Sequence, residues 1–265
     1  MDVRSRVRQA GGQVEELLQR TLSRVGMSQP ETTISADAQD YWSDAGGARW
    51  KANSHWRDAS VFDGSDLWSR IGRRHLEMFQ RGARLTGFDR PWGRVVEWGC
   101  GGGANAVHFA EAATEFVGVD VSAESLEECG RQVAAHCDTP YRPVLVEVAD
   151  PERAVDEIGP CDVFLCCYVF ELLPTPEYGE RLLRVAQRLL KPGGLALIQV
   201  KYHDGGFWTR SRRRAYRTGV AGMTSYGIAE FWELVTKSGL RPESVQLVPK
   251  DELDERYAYF VVSRP

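Results

Sequence analysis

The fold of this chain is decided by the stretch Arg94-Val95-Val96-Glu97-Trp98-Gly99-Cys100-Gly101-Gly102-Gly103-Ala104. Two β-branched residues lead into an acidic residue. Four glycines then occupy five positions, and a helix-favouring segment follows over residues 104–113. Glycine adopts positive φ without strain and lets a ligand approach the backbone closely. Because the start of a helix also presents unpaired N–H groups, the stretch predicts a strand, a tight ligand-binding loop and a helix.

Apolar strand patterns alternate with helical patterns after this stretch. The first four predicted strands end at Glu97, Asp120, Asp150 and Cys166, and a fifth covers 195–200. The helices between them are predicted over 104–113, 123–135, 151–157 and 176–190. Near-continuous apolar strands separated by helices form a parallel sheet that is covered on both faces.

The C-terminal part departs from this alternation. A predicted helix over 228–238 is followed by two strands, 243–248 and 257–262, with only the connector 250–256 between them. Consecutive strands without a crossover helix pair antiparallel. The predicted fold class is therefore α/β: a Rossmann-like, doubly wound sheet of seven strands, mostly parallel, with an antiparallel C-terminal hairpin, helices on both faces and an N-terminal helical lid.

The N-terminal 66 residues are predicted to form a helix and an aromatic lid segment, ahead of a main domain over 67–265. The first helix lies within residues 1–30 and is interrupted early by Gly11-Gly12. Its apolar residues at helical spacing are Val14, Leu17, Leu18, Leu22 and Val25. They indicate either a packing helix or a dimerisation helix, which would make the chain a homodimer.

Residues 31–66 are irregular and rich in aromatic residues, among them Trp42 and Trp56. Aromatic faces can shield a reacting centre from water and attract a cation, so a lid is one interpretation. A peripheral mini-core that only covers the sheet is the other. Residues 203–226 form a second irregular segment, an insertion that we expect on the substrate side.

Composition narrows the class of protein. The net charge of −4 and the pI of about 5.8 argue against nucleic acid as a partner. No apolar run is long enough for a bilayer, and the N-terminus lacks the apolar stretch of a secretory signal. The six cysteines form no C-x-x-C pair and the five histidines are scattered, so we expect reduced thiols, a cytoplasmic location and no metal site.

Glu97 lies two residues before the first glycine, where a carboxylate suits an ammonium group better than a pyrophosphate. The pattern Glu97-x-Gly99-x-Gly101-x-Gly103 resembles the first motif of the class I S-adenosylmethionine (SAM) dependent methyltransferases, and the antiparallel ending is similar to theirs. The resemblance implies that this loop, Cys100 included, wraps the methionine end of SAM. The spacing Gly99-x-Gly101-x-x-Ala104 also fits a dinucleotide fingerprint, so an NAD(P)-dependent oxidoreductase is the alternative.

In an open parallel sheet, ligands bind at the carboxyl ends of the strands. Asp120, followed by Val121, is expected to accept the ribose hydroxyls, or else to be a turn acid. Asp150, with Ala149, is expected to contact adenine, or else to cap the next helix. The resemblance implies that the segment with Cys166 and Cys167 passes beneath the methyl group.

The resemblance implies transfer of the methyl group by direct in-line displacement, which leaves S-adenosylhomocysteine (SAH). The acceptor is expected to be a small molecule, a natural product or glycan, methylated on oxygen because a histidine base is available. N- or C-methylation and a non-catalytic SAM-binding regulator are the alternatives. The candidate bases are His203, expected beside the methyl group, and His55 in the lid. The residues expected to bind the acceptor are Tyr168, Tyr202, Trp42 and Trp56.

A basic run in the insertion comprises Arg210, Arg212, Arg213, Arg214 and Arg217. Guanidinium groups bind phosphate, carboxylate or sulfate well, so the run is a candidate for anion recognition on the substrate. A solvated helix face is the alternative.

Overall fold

A computed structural model describes residues 3–43 and 48–265 of the chain and contains a seven-stranded sheet with the order β3-β2-β1-β4-β5-β7-β6. The strands are β1 Trp92–Trp98, β2 Ala113–Asp120, β3 Tyr141–Leu145, β4 Cys161–Cys166, β5 Leu190–Lys201, β6 Arg241–Lys250 and β7 Glu255–Ser263. β7 pairs antiparallel with both β5 and β6, and the other pairs are parallel. The predicted fold class is confirmed.

The helices include α1 Val3–Arg24, α2 Glu31–Trp42, α3 Ala48–Asn53, α4 Leu67–Thr86, α5 Ala106–Phe109, α6 Ala123–His136, α7 Ala154–Ile158, α8 Pro176–Leu189 and α9 Ile228–Lys237. Within the described ranges, no helix combines the length and the apolar character that crossing a bilayer requires.

Alternating side chains of the strands build a core on each face of the sheet. Val95 packs with Phe79 of α4 on one face, and Val96 packs with Leu183 of α8 on the other. Since successive strand residues point to opposite faces, a continuous apolar strand such as β4, which is buried throughout, requires helices on both sides. The strand order reverses at β1, whose neighbours are β2 and β4. This is the position where open sheets bind ligands.

Several boundaries differ from the sequence predictions. α1 runs through Gly11-Gly12, because a glycine costs a helix only about 1 kcal/mol and a helix of this length tolerates it. Residues 31–66 contain α2, α3 and a 3₁₀ turn, Ser60–Phe62, rather than irregular chain. The helix after the glycine loop is short: α5 continues only as the 3₁₀ turn Ala110–Ala112. β3 ends at Leu145, five residues before Asp150.

α1 is joined to the 203–226 insertion by polar contacts. Arg20 Nη1 donates to the carbonyl of Arg210 at 2.9 Å, and Thr218 Oγ1 donates to Glu15 at 3.0 Å. The apolar stripe of α1 is largely exposed, with Val14 at 67%. α1 therefore packs on the insertion through its polar side. The homodimer, which would use the apolar side of α1, stays a prediction.

Candidate active site

A cavity of about 110 Å³ lies at the carboxyl ends of β1, β2 and β4. Segments that are distant in sequence line it, among them the glycine loop, the end of β2, the loop after β4 and the N-terminal segment. The predicted site residues among its lining are Glu97, Gly99, Cys100, Gly101, Asp120, Val121, Cys167, Tyr168, Trp42 and His55. The structure thus gathers most of the predicted residues at the switch point of the sheet.

The glycine loop is pressed between two other segments. Gly99 and Gly101 have φ of 73° and 49°, a region that side chains disfavour. A Cβ on Gly99 would lie 2.4 Å from Val169 Cγ2, and one on Gly101 would lie 2.3 Å from the carbonyl oxygen of Ser54. Gly102 N–H donates to that carbonyl at 2.7 Å. Glycine is required at these positions because Ser54 and Val169, from two other segments, lie directly against the backbone of the glycine loop.

Glu97 is almost fully buried, with 1% of its surface exposed. Its Oε1 accepts a hydrogen bond from Asn105 Nδ2 at 2.7 Å, whereas Oε2 has no partner among the described residues. Burial, with a smaller contribution from the nearby Asp120, raises the pKa of Glu97 to about 8 against the opposing effect of the hydrogen bond from Asn105. A buried carboxylate oxygen without a hydrogen-bond partner is energetically costly, and a positively charged donor bound in the cavity would remove that cost.

Asn105 links Glu97 to a buried polar network. His75 Nδ1 donates to Asn105 Oδ1 at 2.7 Å, and His75 Nε2 lies 3.0 Å from the hydroxyl of Tyr259. Asp254 accepts from the hydroxyls of both Tyr259 and Tyr168, at 2.6 and 2.7 Å. Burial lowers the pKa of His75 to about 4. This network fixes the position of Asn105 and hence of Glu97.

Asp120 ends β2 and holds the glycine loop. Its carboxylate accepts from the N–H groups of Gly101 at 3.0 Å and Ser122 at 2.9 Å. Burial raises the pKa of Asp120, and these backbone hydrogen bonds counteract the shift. Because each carboxylate oxygen has a second acceptor position, Asp120 can also accept hydroxyl groups from the cavity.

A second cavity of about 500 Å³ adjoins the first and shares Val121 and Val146 with it. Asp150 lies on the wall of this second cavity. Ala149 lines neither cavity, and its carbonyl accepts from Arg181 Nη2 at 3.2 Å. Of the two residues predicted to contact adenine, only Asp150 therefore lines the cavity that adjoins the candidate active site.

The segment 31–66 places two aromatic residues, Trp42 and His55, on the first cavity. Trp42 Nε1 donates to the hydroxyl of Tyr216 at 2.7 Å. The His55 ring lies 4.7 Å from that of Tyr168, measured between centroids, and burial lowers the pKa of His55 to about 4. His55 and Tyr168 both have positive φ, 54° and 57°. Backbone strain of this kind concentrates at functional sites.

His203 does not lie where the sequence predicts. Its N–H donates to the carbonyl of Tyr226 at 3.0 Å, and its Nε2 lies 3.6 Å from Glu230 at the start of α9. A bridge between Tyr202 and Tyr226 holds this segment beside α9. Neither His203 nor Tyr202 lines the cavity. The chain leaves β5 toward α9 instead of crossing the cavity mouth.

Three more predicted residues support the site from behind. Trp56 is buried, its Nε1 lies 3.4 Å from Ser125 Oγ, and its ring packs against that of Trp50. Cys166 is the last residue of β4, and its side chain lies in the sheet core. Gly103 lets α6 approach the loop, since a Cβ there would lie 3.2 Å from the Cα of Cys129.

Several lining residues escape sequence reasoning. Asn105 lies two residues after Gly103 and immediately before α5, and its polar side chain at the start of a helix is the signal that could have found it. Tyr216 comes from the insertion and Asn53 from the end of α3. Neither has a sequence signal, because their positions depend on tertiary contacts such as that between Tyr216 and Trp42.

The basic run divides into two groups. Arg212 is buried, and its guanidinium donates to the carbonyls of Arg214, Ala215 and Gly219. Arg214 holds α1 through Gln19 at 3.0 Å. Arg210 and Arg217 are exposed and line a third cavity. Arg213 belongs with the first group by its backbone, since its N–H donates to the carbonyl of Met223 at 3.3 Å and its carbonyl accepts from the N–H of Gln29 at 3.1 Å. The second group lines a cavity that a ligand can enter.

Residues 96–196 match a sequence family described as a methyltransferase domain. The matched span contains the glycine loop and the strand ends that line the switch-point cavity, so the match agrees with the site and with the confirmed sheet.

Two curated relatives carry the name of an O-methyltransferase. A ubiquinone biosynthesis O-methyltransferase of Bordetella avium is 32% identical over 38% of this chain and 39% of that protein. The enzyme of that name from Ralstonia nicotianae is 26% identical over 69% of this chain and 75% of its own length. The Bordetella alignment thus spans only about two fifths of that relative.

Two solved structures share the fold. Magnesium protoporphyrin IX methyltransferase of Synechocystis with bound SAH has a TM-score of 0.60 at 14% identity, covering 87% of this chain and 99% of that one. An N-methyltransferase of Bradyrhizobium japonicum in complex with SAH has a TM-score of 0.57 at 13% identity, covering 82% and 98%. At these identities the likeness shows the fold alone.

Proposed function

We propose that this chain binds SAM and transfers its methyl group to an oxygen atom of a small-molecule acceptor. The observation that carries the proposal is the buried Oε2 of Glu97, which has no partner among the described residues and borders the glycine loop at the sheet switch point. The relatives named O-methyltransferases support oxygen as the methylated atom.

The donor set fits the cofactor. The Glu97 carboxylate suits the ammonium group of the methionine end, which would supply the missing partner of Oε2. Asp120 would accept the ribose hydroxyls while it keeps its hydrogen bonds from the N–H groups of Gly101 and Ser122. Val121, Val146 and Asp150, which line the adjoining cavity, would hold the adenine.

When bound, SAM supplies an electrophilic methyl group on a sulfonium centre. The protein then has to hold the acceptor oxygen in line with that methyl group, exclude water and remove a proton. Trp42 and Tyr168 border the cavity with aromatic faces, which attract a cation and keep water out. Both are held by hydrogen bonds, to Tyr216 and Asp254, so the walls are preorganised.

His55 is the base in this proposal, because it lines the cavity and His203 does not. With a pKa of about 4, its ring is unprotonated at neutral pH and available to accept a proton. A base this weak favours an acidic hydroxyl, such as that of a catechol, over an aliphatic alcohol.

Binding and turnover test the proposal separately. Titration calorimetry with SAH and with NADH should give binding of SAH only, and binding of NADH alone would overturn the assignment. Incubation with labelled SAM and a panel of catechols, phenols, amines and carbon acids, followed by mass spectrometry, should locate the label on oxygen. Label on nitrogen or carbon would keep SAM binding and refute oxygen as the acceptor atom.

A further inference from the structure

The third cavity, of about 580 Å³, carries positive charge on its walls. Its basic residues are Arg20, Lys201, Arg210, Arg217 and Arg256, and we call this group the cationic vestibule. Glu16 is the one carboxylate among the described residues that line it. Such a concentration contrasts with the net charge of −4 of the whole chain.

Most of this charge is not neutralised by neighbouring carboxylates. Arg20 pairs with Glu16 at 2.8 Å. Among the described residues, no carboxylate lies within ion-pair distance of Lys201, Arg210 or Arg217. Lys201 is half-buried with Nζ 5.0 Å from the Tyr257 ring centroid, and burial lowers its pKa although Glu171 behind it raises the value. Like charges gathered without partners are unfavourable unless an anion joins them.

The cationic vestibule adjoins the candidate active site. Asn53 lines both cavities, and its Nδ2 donates to the hydroxyl of Tyr41 at 2.7 Å. Tyr41 lines the cationic vestibule, and its neighbour Trp42 lines the active-site cavity. The hydrogen-bonded pair Asn53 and Tyr41 therefore lies where the two cavities adjoin. A single ligand that extends past Asn53 and Tyr41 would occupy both the active-site cavity and the cationic vestibule.

Aromatic surface lies beside the charges. The Trp208 side chain lines the cationic vestibule and is 56% exposed, which is unusual for so large an apolar group. Tyr41 forms part of the same wall. Guanidinium groups next to aromatic faces suit a planar ligand that carries a negative charge.

We propose that the cationic vestibule binds a carboxylate or phosphate group carried by the methyl acceptor, while the hydroxyl of the acceptor reaches the methyl group past Asn53 and Tyr41. This inference rests on the proposed function and names its substrate class: a planar phenol with an anionic substituent. Arg210 and Arg217 bind the anion, and Lys201 supplies charge from the inner wall.

The test uses the full chain saturated with SAH and inorganic pyrophosphate as the probe. Calorimetry should give a dissociation constant below about 1 mM. Arg210→Ala and Arg217→Ala should each weaken pyrophosphate binding about tenfold, the effect of losing a charge-assisted contact. Arg81→Ala is the matched control, since Arg81 is exposed on α4, and should change nothing. No pyrophosphate binding, or equal binding by all four proteins, would overturn the inference.

A matched ligand pair separates an acceptor site from a site for free anions. 3,4-Dihydroxybenzoate should bind about tenfold more tightly than 3,4-dihydroxybenzyl alcohol, and the preference should vanish in the Arg210→Ala/Arg217→Ala double variant. Pyrophosphate should displace the benzoate. Simultaneous binding of both would identify a separate effector site and refute the inference about the acceptor.

SAH affinity is measured for each variant first. Unchanged SAH binding with lost pyrophosphate binding supports the inference. SAH binding without any pyrophosphate binding refutes the inference and leaves the proposed function intact. If no protein bound SAH, the proposed function would fail instead, and titration of the protein alone with pyrophosphate would still report on the cationic vestibule.

Discussion

Binding of SAH should release a proton from Glu97 and should therefore strengthen as the pH rises. Burial holds the pKa of Glu97 at about 8 in the free protein, so the carboxyl is mostly protonated at neutral pH. The ammonium group of the ligand favours the ionised carboxylate. The ligand thus selects the deprotonated form, and each protein molecule that binds must lose a proton.

The magnitude follows from the pKa. At about pH 6 only about one molecule in 100 has ionised Glu97, and at about pH 8 half of the molecules do. If the ligand binds the ionised form alone, the dissociation constant should fall about 50-fold over this interval, or about 2.3 kcal/mol. The comparison stops at about pH 8, because the amino group of the ligand loses its own proton above that value.

Calorimetry in two buffers with different ionisation enthalpies measures the proton directly. Near pH 6.5 the release should approach about one proton for each SAH bound. Glu97→Gln keeps an acceptor for Asn105 but has no charge, so it should bind SAH more weakly at pH 8 and show no pH dependence in this interval. Glu127→Gln, an exposed position on α6, is the matched control and should retain the wild-type slope.

A flat pH profile in the wild-type protein would refute the reasoning. So would a Glu97→Gln variant that keeps the slope, because the titrating group would then be another residue. Asp120 is the other buried carboxyl at the cavity, and burial raises its pKa as well. A slope that disappears in Asp120→Asn and persists in Glu97→Gln would assign the proton to Asp120.

Three further outcomes test the site. Asp120→Ala removes the acceptor for the Gly101 N–H and should weaken SAH binding by about 1–3 kcal/mol; an unchanged dissociation constant would contradict its role. Gly101→Ala would place a Cβ against the backbone of Ser54 and should lower the free energy of unfolding, measured in urea, by about 1–3 kcal/mol. Gly64→Ala is the control, because Gly64 also has positive φ but has open space around it, and it should lower the free energy of unfolding by about 1 kcal/mol. His55→Ala should lower kcat more than about tenfold with SAH affinity nearly retained, while His203→Ala should leave kcat unchanged; the opposite pattern would make His203 the base.

The sheet and the strand-end carboxylates could be predicted from the sequence because their signals are local. A buried parallel strand is a continuous apolar run, and the residue that follows it must lie at the edge where ligands bind. Glu97 and Asp120 therefore needed no tertiary information. Asp150 was placed less well, because β3 ends at Leu145 and the following residues form a loop whose path the strand pattern does not determine.

The acceptor side could not be predicted in the same way. His203 follows β5 directly, and strand-end logic placed it at the cavity, but pairing of Tyr202 with Tyr226 takes the chain toward α9. Trp56 was predicted to bind the acceptor, yet its ring packs on Trp50 and does not line the cavity. Residues in insertions are positioned by partners far away in sequence, and no local pattern encodes those partners.

The residues that could be predicted are those proposed to bind the cofactor, and the residues that could not be predicted are those proposed to bind the acceptor. In the proposed function, the cofactor would be held by strand ends that the sheet itself positions. The acceptor would be held by two segments that pack on each other, α1 to α3 and the insertion. The cationic vestibule lies between these segments, so a change in either would alter acceptor recognition while leaving the cofactor site intact.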